Sequence, residues 1–128
     1  MTPPANVIEI SLQPGVESQI DAALALRSAG RLEDALRALA KANESDPYLN
    51  TIRGEIEFAL RRYQEAALSY FAVVHAEPAN ANAHYNLGAA LEKMGREPEA
   101  IQHYRQALLS KPGDSQIQKA LARARDVP

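Results

Sequence analysis

The stretch "NLGAALEKMGREPEAIQHY", from Asn86 to Tyr104, reads as one helix, a glycine stop and a second helix. The same phrase occurs twice more upstream in weaker form. Ala35, Ala66 and Ala100 anchor the three copies. Four residues after each stands a large side chain: Leu39, Tyr70 and Tyr104. Twelve residues after each stands a proline: Pro47, Pro78 and Pro112. The first two copies lie 31 residues apart and the last two 34. A near-constant interval of this size marks a repeat protein, in which each copy is a supersecondary unit that buries its apolar face against the next.

Apolar spacing supplies the elements. "VESQIDAALALRSAG" places Ile20, Ala23, Leu24 and Leu26 at three-to-four intervals, with Gly30 as the stop. "RLEDALRALAKANESD" puts Leu32, Ala35, Leu36 and Leu39 on one face. Asp46-Pro47 reads as an N-cap followed by a first-turn proline. "YLNTIRGEIEFALRR" with "YQEAALSYFAVVHAEP" gives the next pair. "NAHYNLGAALEKMG" with "EPEAIQHYRQALLSKPG" gives the third. "DSQIQKALARAR" closes the chain with Ile117, Leu121 and Ala120 or Ala124 inward. Seven helices with short connections make antiparallel neighbours. Residues 1–15 differ: three prolines and Pro14-Gly15 oppose helix. Between them "VIEISL" alternates Ile8, Ile10 and Leu12 in a strand-like pattern, so an extended or disordered arm is expected there.

In the third copy His84, Leu87, Gly88, Leu91, Ala100, Tyr104 and Pro112 follow the pattern of a family. The sequence resembles the tetratricopeptide repeat (TPR) family. His84 stands for the usual Trp and Leu91 for the usual Tyr. The second copy keeps Gly54, Ala66, Tyr70 and Pro78, with Arg53 and Glu57 in place of large residues. The first keeps Ala23 at the glycine position, Leu26, Gly30, Ala35, Leu39 and Pro47. The resemblance implies an all-α fold: a right-handed α-solenoid of three TPR helix pairs and a C-terminal capping helix. The domain would run over 16–126, with repeats at about 16–46, 47–80 and 81–114 and the cap at 115–126. The second copy is read as having lost three residues, either after Pro47 or at Arg61-Arg62. Gly88 and Ala100 are expected to be small because two helices cross there, with Tyr104 filling the gap beside the next repeat. Gly95 is expected in a left-handed turn. Arg61, at the same place one repeat earlier, is expected to need a different turn.

Composition removes most other function classes. The 128 residues carry a net charge of −2, against a broad nucleic-acid footprint. No cysteine is present, so disulfides, thiolate metal sites and cysteine nucleophiles are excluded. No apolar run approaches the roughly 18 to 20 residues of a membrane span. "MTPPANVIEI" lacks the basic and apolar regions of a signal peptide. A cytoplasmic chain without membrane, metal or cofactor is expected. No serine sits in a nucleophile motif, and His75, His84 and His103 have no ligand spacing, so no enzyme is expected.

The resemblance implies a binding groove lined by the first helix of each pair. Helical projection gives rungs at Glu17, Ile20, Asp21 and Leu24; at Tyr48, Thr51, Ile52 and Glu55; and at Asn82, Tyr85, Asn86 and Ala89. Gln116, Lys119 and Arg123 follow on the closing helix. Asn86 precedes Leu87-Gly88, where family members often carry an Asn that hydrogen-bonds a peptide backbone. Tyr48 and Tyr85 offer apolar area with a polar tip. Peptide contacts are therefore expected at Tyr48, Glu55, Asn82, Tyr85, Asn86, Lys119 and Arg123. A groove running from Glu17 and Asp21 to Lys119 and Arg123 would seat an acidic peptide end by the closing helix. Chaperone-binding members hold a terminal carboxylate at positions that are Ile20, Leu24, Ile52, Asn82 and Asn86 here, so that clamp is not reproduced. The expected function is a scaffold that binds a peptide or protein segment in a concave groove. The alternative is a homo-oligomer assembled through the arm, the convex face or stacked ends.

Overall fold

The computed structural model describes residues 16–40 and 46–127. Among them are seven helices and no strand: α1 (Val16–Ser28), α2 (Leu32–Ala40), α3 (Pro47–Ala59), α4 (Tyr63–Ala76), α5 (Ala81–Lys93), α6 (Glu97–Ser110) and α7 (Ser115–Arg125). The arm expected at 1–15 lies outside the described residues. The chain divides into two compact units, Met1–Glu44 and Ser45–Pro128.

The first unit holds α1 and α2. Gly30 joins them at φ 79°, a left-handed conformation that costs glycine nothing. The Arg31 amide donates to the Leu26 carbonyl at 2.9 Å and closes the end of α1. Ile20, Ala23, Ala35 and Leu39 are buried, while Leu24, Leu26, Leu32 and Leu36 are half-buried. Asp34 takes Arg31 at 2.7 Å and also pairs with Arg37, so its carboxyl is held below the usual range.

The second unit holds α3 to α7, each packed on the next in sequence. Its odd-numbered helices start alike. The carboxylate of Asp46, the amide oxygen of Asn80 and the carboxylate of Asp114 accept from the amides of Leu49, Ala83 and Ile117 at 2.9 to 3.0 Å. These are N-caps that satisfy free donors of the first turn. The helices they open begin at 47, 81 and 115, a strict 34-residue step. Only fifteen residues separate the starts of α2 and α3, against eighteen for α4 to α5 and α6 to α7. The missing residues therefore lie before Asp46, not after Pro47 or at Arg61-Arg62. Pro47 is inside the first turn of α3, whereas Pro78 and Pro112 precede the caps of α5 and α7. Its twelve-residue spacing from Ala35 matches theirs in number but not in place.

Arg61 also corrects the sequence reading. It adopts φ 62°, close to the 76° of Gly95. Arg62 donates to Glu57 at 2.8 Å, as Arg96 does to Leu91 at 2.9 Å. The turn is the same one, built with a residue that pays roughly 1–2 kcal/mol for it.

Each helix pair of this unit is held by a ring on a glycine. A Cβ on Gly54 would come within 2.6 Å of the Tyr70 ring, and one on Gly88 within 2.6 Å of the Tyr104 ring. Gly88 is thus small because Tyr104 of its own repeat lies on it, more than because two backbones cross. Tyr104 is fully buried and its hydroxyl donates to Glu92 Oε1 at 2.6 Å. Pro98 occupies the first turn of α6, where a missing N–H is harmless. Helix α7 buries Ile117, Ala120, Leu121 and Ala124 and exposes Gln118 and Arg125, with Asp126 exposed just after it.

Candidate functional site

Helix α5 presents one long stripe to an open cleft system. Asn82, Tyr85, Asn86, Ala89, Glu92 and Lys93 recur at three-to-four spacing, so they share a face. The lower half of the stripe meets Pro47, Tyr48 and Thr51 of α3, with Glu77 and Asn80 of the preceding turn, around a cleft of about 330 Å³. The upper half meets Phe58 of α3, Glu97 of α6 and Arg123 of α7 around a cleft of about 550 Å³.

In the lower cleft Tyr48 is 56% exposed although it is a large aromatic. Asn86 is half-buried, and its amide has no hydrogen-bond partner among the described residues. It can donate and accept at once. Asn82 is exposed and accepts from Lys111 Nζ at 3.2 Å. The Thr51 hydroxyl is turned back to the Pro47 carbonyl at 2.9 Å.

The upper cleft is built differently. Tyr85 leans on buried Tyr104, ring centroids 5.8 Å apart. Arg123 is not a free cation. Its Nε donates to Glu92 Oε2 and its Nη2 to Glu92 Oε1, both at 2.8 Å. Glu92 accepts three hydrogen bonds in all, and Arg123 first, then Tyr104, holds its carboxyl below the usual range against the opposing effect of burial.

The structure thus brings together Tyr48, Asn82 and Asn86 in one cleft and Tyr85 and Arg123 in the other. Glu55 and Lys119 are exposed and line neither. Ile20 and Ile52, projected as groove rungs, are buried. Phe58, Glu92 and Glu97 were missed. Glu92 lies 31 residues from Arg123, and neither residue carries a local signal of the pairing. Of the basic end expected from Lys119 and Arg123, Arg123 is neutralised by Glu92 and Lys119 lies outside both clefts.

Two histidines meet away from this face. His84 is buried, and its Nε2–H donates to the Pro78 carbonyl at 2.7 Å, since that oxygen can only accept. Its Nδ1 then accepts from His103 Nδ1–H at 3.1 Å. Burial first, and the His84 ring second, push His103 down, partly offset by Glu99. Among the described residues no group of three metal-ligating side chains forms. Nor is any described helix long and apolar enough to cross a membrane.

The molecule is by these features an α-helical repeat protein with an open, polar-and-aromatic groove along one helix. Residues 81–114 match the tetratricopeptide repeat model and residues 51–95 the TPR repeat model. Together the matches cover half of the chain, which belongs to the TPR family. Among curated proteins it is similar to protein bimA of Emericella nidulans, 30% identical over 86 residues. That match takes in 65% of this chain and 11% of the relative, so the chain spans a small part of that protein's length. Among solved structures it is similar to crystalline MamA (TM-score 0.85, 21% identity, 94% of this chain and 72% of that one). It is also similar to the second TPR domain of human RPAP3, solved with the HSP70 peptide SGPTIEEVD (TM-score 0.81, 21% identity, 88% and 96% covered). The first TPR of Spaghetti (RPAP3), bound to the HSP90 peptide SRMEEVD, gives a TM-score of 0.81 at 19% identity, with 86% and 90% covered. At these identities the likeness is one of fold.

Proposed function

We propose that the chain is a non-catalytic interaction module whose α5-lined groove holds an extended segment of a partner protein. Asn86 carries the reading. It is an unpartnered amide, half-buried in a cleft, flanked by the exposed ring of Tyr48. Such an amide can pair with the N–H and C=O of a passing backbone, and that pairing does not depend on the segment's sequence. Tyr48 and Tyr85 then supply apolar contact, with Asn82 at the rim. The peptide complexes of the two RPAP3 domains support the reading by analogy of fold alone.

A random-peptide display selection on the full chain tests it. Enriched peptides should lose about tenfold in affinity on Asn86→Ala and on Tyr48→Ala, the worth of one buried hydrogen bond or one aromatic contact. Peptides that bind both variants as tightly as wild type would overturn the reading.

One observation favours a second reading, self-association. Leu68 is 66% and Phe71 56% exposed on α4. The residues 34 positions later, Gln102 and Arg105, are polar. The scaffold therefore does not require apolar side chains there. Sedimentation analysis of wild type against Leu68→Glu with Phe71→Glu decides this: a dimer lost in the double variant supports it, and an unchanged monomer removes it.

A further inference from the structure

A cationic side chain at the end of a groove ordinarily invites a carboxylate. Here the invitation is already answered from inside. Arg123 offers two bidentate edges, and the Nε/Nη2 edge is filled by both oxygens of Glu92 at 2.8 Å. Glu92 is itself fixed, because the buried Tyr104 hydroxyl holds Oε1 at 2.6 Å. Its side chain is only 16% exposed while that of Arg123 is 57% exposed.

A ligand carboxylate has two ways in. Displacing Glu92 would strand a mostly buried carboxylate beside the newcomer, and an unpaired charge in such a place is costly. Using the open Nη1/Nη2 edge would put two carboxylates on one guanidinium, a like-charge contact that offsets most of the attraction. The rest of the cleft does not tip the balance. Lys93 lines it, but so does Glu97, and the four charged lining residues sum to zero. What remains unanswered is the half-buried apolar floor of Phe58, Tyr85 and Ala89.

We infer that Glu92 is a specificity residue: it closes the Arg123 end of the groove to carboxylates, so that the groove takes a segment with an apolar side chain and no acidic tail on Phe58, Tyr85 and Ala89. This rests on the peptide-binding reading above. It sets this groove apart from partners whose peptides end in Glu-Glu-Val-Asp, as those bound by the RPAP3 domains do.

The test uses two probes on the full chain, with affinities read by isothermal titration calorimetry. One is the peptide SGPTIEEVD. The other is its neutral counterpart, with both Glu as Gln, Asp as Asn, and an amidated C-terminus. Wild type should show no preference for the acidic probe. Glu92→Gln, which keeps an acceptor for Tyr104, should bind the acidic probe about tenfold more tightly than the neutral one. Glu92→Ser should show the same gain, and adding Arg123→Gln should abolish it. Thermal melts check that each variant is folded. Wild-type preference for the acidic probe overturns the inference. So does a Glu92→Gln variant that gains nothing or binds it more weakly, the latter making Glu92 a residue that orients Arg123 for acidic ligands. A gain in Glu92→Gln that Arg123→Gln removes upholds the closure even if display selection on wild type returns nothing. In that case the peptide reading alone fails.

Discussion

The repeat formed by α3 and α4 and the repeat formed by α5 and α6 share a register of 34 residues, the same N-cap and the same turn, and they agree most closely at one packing contact. Gly54 under Tyr70 and Gly88 under Tyr104 are the same lock to within the same 2.6 Å approach. Ala66 and Ala100 are both fully buried. Away from the lock they part. Arg61 stands for Gly95, and Phe58 for Glu92. Leu68 and Phe71 stand for Gln102 and Arg105. Glu57 stands for Leu91 and is buried, with the Ser69 hydroxyl donating to it at 2.5 Å. Burial, more than that hydrogen bond can offset, pushes the Glu57 carboxyl up. The lesson is that the repeat conserves the small-against-large contact that spaces its helices. Positions facing the groove and the solvent differ, and so does the buried Glu57 against Leu91.

The largest expected effect tests the shared lock. Gly54→Ala and Gly88→Ala should each destabilise by about 1–3 kcal/mol, because a buried ring must move for the new methyl. Chemical denaturation measures both. A neutral Gly88→Ala would mean that Tyr104 is not the constraint.

Next comes the anchor that only one repeat has. Tyr104→Phe removes a hydrogen bond to a charged acceptor and should cost about 1.5 kcal/mol or somewhat more. Among the described residues the Tyr70 hydroxyl makes no such bond, so Tyr70→Phe should change stability by much less. Equal losses would contradict the distinction.

The turns should respond with opposite sign. Arg61→Gly relieves a left-handed arginine and should stabilise by about 1 kcal/mol; Gly95→Ala should destabilise by about as much. Thermal melts of the two variants side by side suffice.

The smallest effect is a pH dependence. His103 is pushed below its ordinary value of 6.5 by burial and by His84. A depressed base contributes stability that is present above its unfolded value and lost as the pH falls below it. Wild type should therefore weaken below about pH 6.5, and His103→Leu should flatten that slope. A slope unchanged in the variant would assign the titration elsewhere.

How much of this was legible in the sequence follows the same division. Glycine, alanine and tyrosine at fixed offsets announce a close small-against-large contact, but the sequence put Tyr104 beside the next repeat, whereas its ring lies on Gly88 of its own. Asp46 announces a helix start by its chemistry, whereas the caps at Asn80 and Asp114 emerge only from the hydrogen bonds they accept. The Arg61 turn was illegible, since no property of arginine signals a positive φ; neighbouring hydrogen bonds impose it. Pro47 misled because counting from Ala35 gives the right number, while Asp46 just before it makes it a first-turn residue. Asn86 and Tyr48 could be projected onto a groove from helical spacing. The Glu92–Arg123 pair could not, because it joins α5 to α7 and depends on Tyr104 beneath it.

The most direct measurement is a two-dimensional ¹⁵N–¹H NMR titration of the full chain with the strongest peptide from the display selection. The account predicts that shifts concentrate at Tyr48, Asn82, Tyr85 and Asn86. Shifts concentrated instead at Leu68, Phe71 and His103 would contradict it and move the function to the surface shared by α4 and α6.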